Sequence, residues 1–99
     1  MNSPPSTLAD QDKTSSWFVY MLECKGNRVY TGIAVDVDAR YKKHCNGTGA
    51  AFTRMHKPLR ILAVMPCADR SEASKMEAQL KKLERPEKLL WALKWPRPT

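Results

Sequence analysis

Tyr20, Tyr30, Arg40 and His44 are side chains that move protons or hold anions, and all four lie within the span 20–44. Phenols and an imidazole exchange protons, with ordinary pKa values of about 10 and about 6.5. A guanidinium presents a fork of donors to an anion. Arg40 and His44 are spaced i, i+4, which puts them one turn apart on the same side of a helix. Glu77 is placed differently. It sits in a segment whose apolar residues Ala73, Met76, Leu80 and Leu83 recur at helical spacing, at a position (i+4 from Ala73) that an apolar side chain usually fills. A carboxylate on the border of a buried stripe is costly unless it has a partner. Lys81 is one such partner at i+4. Each residue also has an ordinary alternative, as a rim aromatic or a solvated helix side chain. Taken together, the first four read as half of an active site that Glu77 must complete.

The elements that position these residues follow from local pattern. Trp17 to Cys24 is nearly all apolar, as expected of a central strand covered on both faces. Lys25-Gly26-Asn27 is a hairpin turn signal, and 28–35 reads as the second strand. Gly32 inside that strand marks a bulge or a close approach by another backbone or a ligand. Asp36 is a plausible N-cap for a helix over about 37–45. Val37, Tyr41 and Cys45 are expected to face the core from it. Asn46-Gly47 stops that helix. Ala50 to Met55 allows one or two helical turns before Pro58, and Arg60 to Pro66 is a third strand.

Asp69-Arg70-Ser71-Glu72 resembles a capping box at the head of the Glu77 helix. Arg85-Pro86 is expected to break that helix. A last helix over about 86–95 carries Leu89, Leu90, Trp91, Leu93 and Trp95. The predicted fold is α+β, a small three-stranded antiparallel sheet flanked by helices in the order β-β-α-(α)-β-α-α. Residues 17–95 form the domain. Residues 1–16, with Leu8 as their one branched aliphatic, are expected to be a flexible tail.

Composition narrows the function. Seventeen Lys and Arg against ten Asp and Glu give a net charge of +7, which favours a polyanionic partner such as nucleic acid. The three cysteines, Cys24, Cys45 and Cys67, are odd in number and form no Cys-x-x-Cys pair. This argues against a disulfide framework and a Cys-rich zinc site, and for small buried hydrophobes in a reducing, cytoplasmic compartment. No apolar run reaches the roughly 18 residues of a membrane span, and the N-terminus lacks the apolar stretch of a secretory signal.

Val19-Tyr20-Met21, then Tyr30-Thr31-Gly32, then Arg40, His44 and Glu77 resemble the ordered motif series of the GIY-YIG nucleases. The first tripeptide departs from Gly-Ile-Tyr and the second from Tyr-Ile-Gly. Tyr30-Thr31-Gly32-Ile33 and Ala78-Gln79-Leu80-Lys81-Lys82-Leu83 are most similar to the small single-domain UPF0213, or YhbQ-like, members. The resemblance covers about 17–90. Many family members carry an Asn about a dozen residues beyond the metal-binding Glu. Here that neighbourhood reads Glu87-Lys88-Leu89-Leu90, so any such support is missing or comes from elsewhere.

The resemblance implies an endonuclease that hydrolyses DNA phosphodiesters with one Mg²⁺ or Mn²⁺ ion, in repair or recombination-type processing. It assigns the metal to Glu77, which suits an ion that takes only one or two protein carboxylates. It makes Tyr20 the base, with Tyr30 or His44 assisting, although His44 is the easier base on chemical grounds. Arg40 would stabilise charge on the phosphate. Gly32, Lys42, Lys43, Arg54, Lys57 and Lys81 would form the nucleic-acid footprint, with DNA favoured over RNA and specificity left to a protein partner. Two other readings are a catalytically weak or inactive nucleic-acid-binding module on the same fold, and a protein-interaction adaptor built on Trp91, Leu93 and Trp95.

Overall fold

Gly26 and Asn27 both adopt positive φ, +78° and +58°. They close an antiparallel hairpin of β1 (Trp17–Cys24) and β2 (Arg28–Ala34), in which Tyr20 pairs with Gly32 and Leu22 with Tyr30. The chain is seen here in a computed structural model that describes residues 16–97. The expected tail lies, Ser16 apart, outside the described residues.

Asp36 caps α1 (Val37–Cys45) by accepting from the Ala39 N–H at 3.0 Å. A short helix, α2 (Ala51–Met55), leads into β3 (Pro58–Cys67). This strand is longer at both ends than the spacing of its apolar residues predicts. The register with β1 shifts between Met21 and Leu22, where Met21 pairs with Ala63 but Leu22 with Ile61. Leu62 is the extra residue of a bulge, which reverses the side-chain alternation. Ile61 and Val64, an odd number apart, therefore share a sheet face. The sheet order is β2-β1-β3, so β1 is central as its two apolar faces require.

Two layers cover the sheet. Val19, Met21, Ala63 and Cys67 pack on one face with Ala73 and Leu80 of α3 (Arg70–Lys81) and Ala92 of α4 (Arg85–Lys94). Tyr20, Leu22, Cys24 and Ala34 pack on the other with Val37 of α1. The Asp69 side chain accepts from the Glu72 N–H at 2.8 Å, and Glu72 accepts from the Ala68 N–H at 2.7 Å. Helix α3 ends at Lys81, earlier than Arg85-Pro86 suggests. Glu87 reaches back to the Glu84 N–H at 3.0 Å, so a new N-terminus forms there, with Pro86 in the first turn and Leu83 in the link.

Two sequence expectations are corrected. Cys45 is exposed, and His44 takes the inward position beside Val37. An imidazole is tolerated there because both ring nitrogens find partners, as described below. In α4, Trp91 and Trp95 pack against the core, whereas Leu90 and Leu93 are the exposed apolar residues. After α4 the Val64 N–H donates to the Trp95 carbonyl at 3.1 Å, and Pro96 bridges to Ala63, partly covering the β3 edge. Among the described residues no helix is long and apolar enough to cross a membrane.

Candidate active site

Three of the predicted residues meet on the α1 face of the sheet. The Tyr20 hydroxyl lies 2.8 Å from His44 Nε2, and both side chains are buried, at 1% exposure each. The Tyr30 ring packs on the imidazole, with centroids 4.9 Å apart, and on Tyr20 at 6.3 Å. Phe52 of α2 lies beyond Tyr30 at 5.7 Å. Gly32, paired with Tyr20 across the hairpin, makes this stacking possible. A Cβ there would lie 2.6 Å from the Tyr20 hydroxyl oxygen and 3.0 Å from a Tyr30 ring carbon. The close neighbours at Gly32 are thus two tyrosine side chains, rather than the backbone or ligand expected from the sequence.

Sequence reasoning missed two contributors. His44 Nδ1 lies 2.8 Å from Thr53 Oγ1, which is itself 2.9 Å from the Ala50 carbonyl oxygen. Gly49 backs the imidazole closely, since a Cβ there would stand 2.5 Å from Nδ1. The only sequence signal for Gly49 was its place in Thr48-Gly49. For Thr53 there was none, because a buried threonine on a short helix looks like any other.

Electrostatics set the resting state. Burial first, then the Tyr30 hydroxyl, pushes the Tyr20 phenol up; Arg40 pulls it down and Glu77 pushes it further up. Tyr20 is therefore protonated at neutral pH. Burial, with the Arg40 charge second, holds His44 below the ordinary imidazole value, so His44 is neutral and can accept a proton.

Arg40 is exposed on α1 and shares a cavity of about 270 Å³ with Lys43, Trp17 and Asp36. Arg54 and Lys57 line a second cavity, of about 360 Å³, with His44, Asn46 and Thr53. Lys42 is exposed on α1 and lines neither. Glu77 comes from the opposite layer, since α3 packs under Val19 and Met21. Its charge nevertheless acts on the Tyr20 hydroxyl. Its carboxylate is 23% exposed and pairs with Lys81 at 3.2 Å, the i+4 partner foreseen from the sequence.

A model of the GIY-YIG catalytic domain matches residues 16–90, from the start of β1 into α4. The chain belongs to the GIY-YIG family. Its similarity to UPF0213 proteins extends over most of its length. It is 40% identical to a UPF0213 protein of Cupriavidus necator over 82 residues, 83% of this chain and 89% of that one. A UPF0213 protein of Xanthomonas axonopodis pv. citri is 41% identical over 86 residues, 87% of this chain and 84% of its own. The solution NMR structure of a UPF0213 protein from Bacillus halodurans superposes with a TM-score of 0.50 at 41% identity, covering 81% of this chain and 86% of that one. The GIY-YIG domain places this α+β chain in a nuclease family, while the names of these relatives state no activity.

Proposed function

We propose that this GIY-YIG protein is a divalent-metal-dependent endonuclease that hydrolyses DNA phosphodiester bonds. The observation that carries the proposal is the buried Tyr20–His44 contact of 2.8 Å; Arg40 on α1 and Glu77 on α3 supply the charges. A proton acceptor, a cation and a carboxylate are the parts that phosphodiester hydrolysis requires.

Glu77 fits a hard metal ion. Its side chain is partly exposed, and Lys81 is a solvent-exposed partner that a stronger cation can displace. Among the described residues no cluster of three or more His, Cys, Asp or Glu side chains is gathered. One carboxylate with waters and substrate oxygens completing the shell is a common arrangement for Mg²⁺ or Mn²⁺. When bound, one such ion supplies positive charge to a phosphate oxygen.

The protein's own residues then divide the work. Arg40, exposed in the lining of the cavity it shares with Lys43, holds the phosphate and offsets its growing negative charge. Tyr20 takes the proton of the attacking water as its own proton passes to His44 Nε2. The relay spares the site a free phenolate, which burial disfavours. The water oxygen bonds to phosphorus, the bond to the leaving oxygen breaks, that oxygen is protonated from solvent, and the proton held by His44 returns to solvent through Tyr20. Lys43, Arg54 and Lys57 contact flanking phosphates and give affinity without sequence preference. Lys42 extends that basic surface along α1. We assign the protein to DNA repair or recombination-type processing in the cytoplasm, with the three free cysteines supporting a reducing compartment.

The test is cleavage of nicked, branched and supercoiled DNA by purified protein, with and without Mg²⁺. Glu77→Ala and Arg40→Ala should each lower the rate by about 100-fold or more. Unchanged cleavage by both variants would remove the assignment. The Glu77–Lys81 ion pair favours a second reading, a non-catalytic nucleic-acid-binding module in which the carboxylate is only structural. That reading predicts binding that weakens steeply with salt and no cutting with any metal.

A further inference from the structure

We infer that Thr53 is a positioning residue that fixes the tautomer of His44, leaving Nε2 as the nitrogen open to the Tyr20 proton. The catalytic consequence rests on the nuclease reading above; the tautomer does not.

Thr53 is 2% exposed, and its hydroxyl has one proton to give. The Ala50 carbonyl oxygen, 2.9 Å away, can only accept. Were the proton turned towards His44 instead, Oγ1 and that carbonyl oxygen would face each other at this distance with nothing between them. Thr53 therefore donates to Ala50 and accepts from His44, so Nδ1 carries the hydrogen. Nε2 of the neutral ring is then an acceptor, and Tyr20 donates to it.

The other end of the chain of bonds favours the same tautomer, without being enough to hold it once Thr53 is gone. Among the described residues the Tyr20 hydroxyl has no hydrogen-bond partner besides His44. A hydrogen on Nε2 would leave the phenol proton buried without an acceptor, which native interiors rarely tolerate. The ring itself is held between Tyr30, 4.9 Å away, and the Gly49 backbone.

The direction of the bonds is thus Tyr20 to His44, His44 to Thr53, and Thr53 to Ala50. When the Tyr20 O–H bond breaks and an Nε2–H bond forms, Nδ1–H and its bond to Thr53 stay in place. The resulting imidazolium has both N–H groups aimed at oxygens without any side chain moving. Thr53 adds no charge, so it orients His44 without changing its role from neutral acceptor.

The experiment is long-range ¹H–¹⁵N correlation NMR on the ¹⁵N-labelled full chain at pH 8, with the imidazoles told apart by His56→Gln. The expected hydrogen is on Nδ1 in the wild type and in Thr53→Ser. In Thr53→Val it moves wholly or partly to Nε2. In DNA cleavage Thr53→Val should lower kcat by roughly 100-fold with KM little changed, and Thr53→Ser should restore it. A hydrogen on Nε2 in the wild type overturns the inference, as does an unaltered tautomer in folded Thr53→Val. If Thr53→Val does not fold, Thr53→Ala, which also removes the hydroxyl, takes its place, with the same result expected and the same result overturning the inference. Absence of cleavage by the wild type, with its hydrogen on Nδ1, removes the nuclease reading and leaves the tautomer assignment standing.

Discussion

The Tyr20 hydroxyl and His44 Nε2 stand 2.8 Å apart, although 24 residues separate them in the chain. One belongs to the central strand and the other to the helix laid across it. The contact joins the hairpin to α1 through a buried polar bond and gives Tyr20 a place to send its proton. Tyr20→Phe would remove the donor and leave Nε2 unpaired. We expect a loss of about 1–3 kcal/mol in urea unfolding. We also expect DNA cleavage to fall by at least about 100-fold. Cleavage at the wild-type rate would sink the proton relay.

The depressed pKa of His44 has a consequence for stability. Burial and Arg40 keep the folded imidazole neutral at pH values where the unfolded one, with a pKa of about 6.5, is charged. Below about pH 6.5 the unfolded chain binds a proton that the native chain does not. Stability is therefore full above that value and falls as the pH is lowered towards the folded pKa. The groups facing His44 are Tyr20 and Tyr30 from the hairpin, Arg40 from its own helix, and Thr53, Arg54 and Lys57 from and just beyond α2. Thermal melts from pH 8 to pH 5 should show the decline, and His44→Gln should flatten it. Parallel curves for both proteins would contradict this account.

Gly32→Ala tests whether the hairpin tolerates a side chain under Tyr20. The added Cβ would lie 2.6 Å from the hydroxyl oxygen and 2.7 Å from Cζ, so the ring must move. Overpacking of this kind costs about 1–3 kcal/mol. The variant should unfold at lower denaturant and should show weakened Tyr20–His44 coupling by NMR. A variant as stable as the wild type would mean that Tyr20 has room this geometry does not grant it.

Thr31 lies between Tyr30 and Gly32 but faces the other side of the sheet, opposite Met21. It is 3% exposed, and its hydroxyl is buried without a hydrogen-bond partner among the described residues. Thr31→Val keeps the shape and removes the orphaned group. We expect a gain of about 1 kcal/mol in urea unfolding. A loss of similar size would show that the hydroxyl has a partner after all.

Lys81 competes for the carboxylate that the nuclease reading assigns to the metal, at 3.2 Å from Glu77. A pair of this kind, with the lysine largely in solvent, is worth about 1 kcal/mol or less. Lys81→Ala should therefore lower the Mg²⁺ concentration that half-saturates cleavage by up to about 5-fold. A higher requirement would assign Lys81 to substrate binding rather than to competition at Glu77.

What the sequence by itself determined is local. Asp36 and Asp69 mark the starts of α1 and α3 because their carboxylates reach N–H groups three residues on. Gly26-Asn27 turns the hairpin because both residues tolerate positive φ. The apolar run of β1 required a central strand, and the spacing of Arg40, His44 and Glu77 was legible as a pattern. Tertiary structure alone decided which face of α1 turns inward, and so that His44 rather than Cys45 is buried. It also decided the bulge at Leu62 and the pairing of His44 with Thr53. The reason is physical: a cap or a turn is satisfied within a few residues, whereas the partners of a buried imidazole come from strand position 20 and helix position 53. Only packing α1 and α2 onto the same sheet face brings those oxygens to the two ring nitrogens.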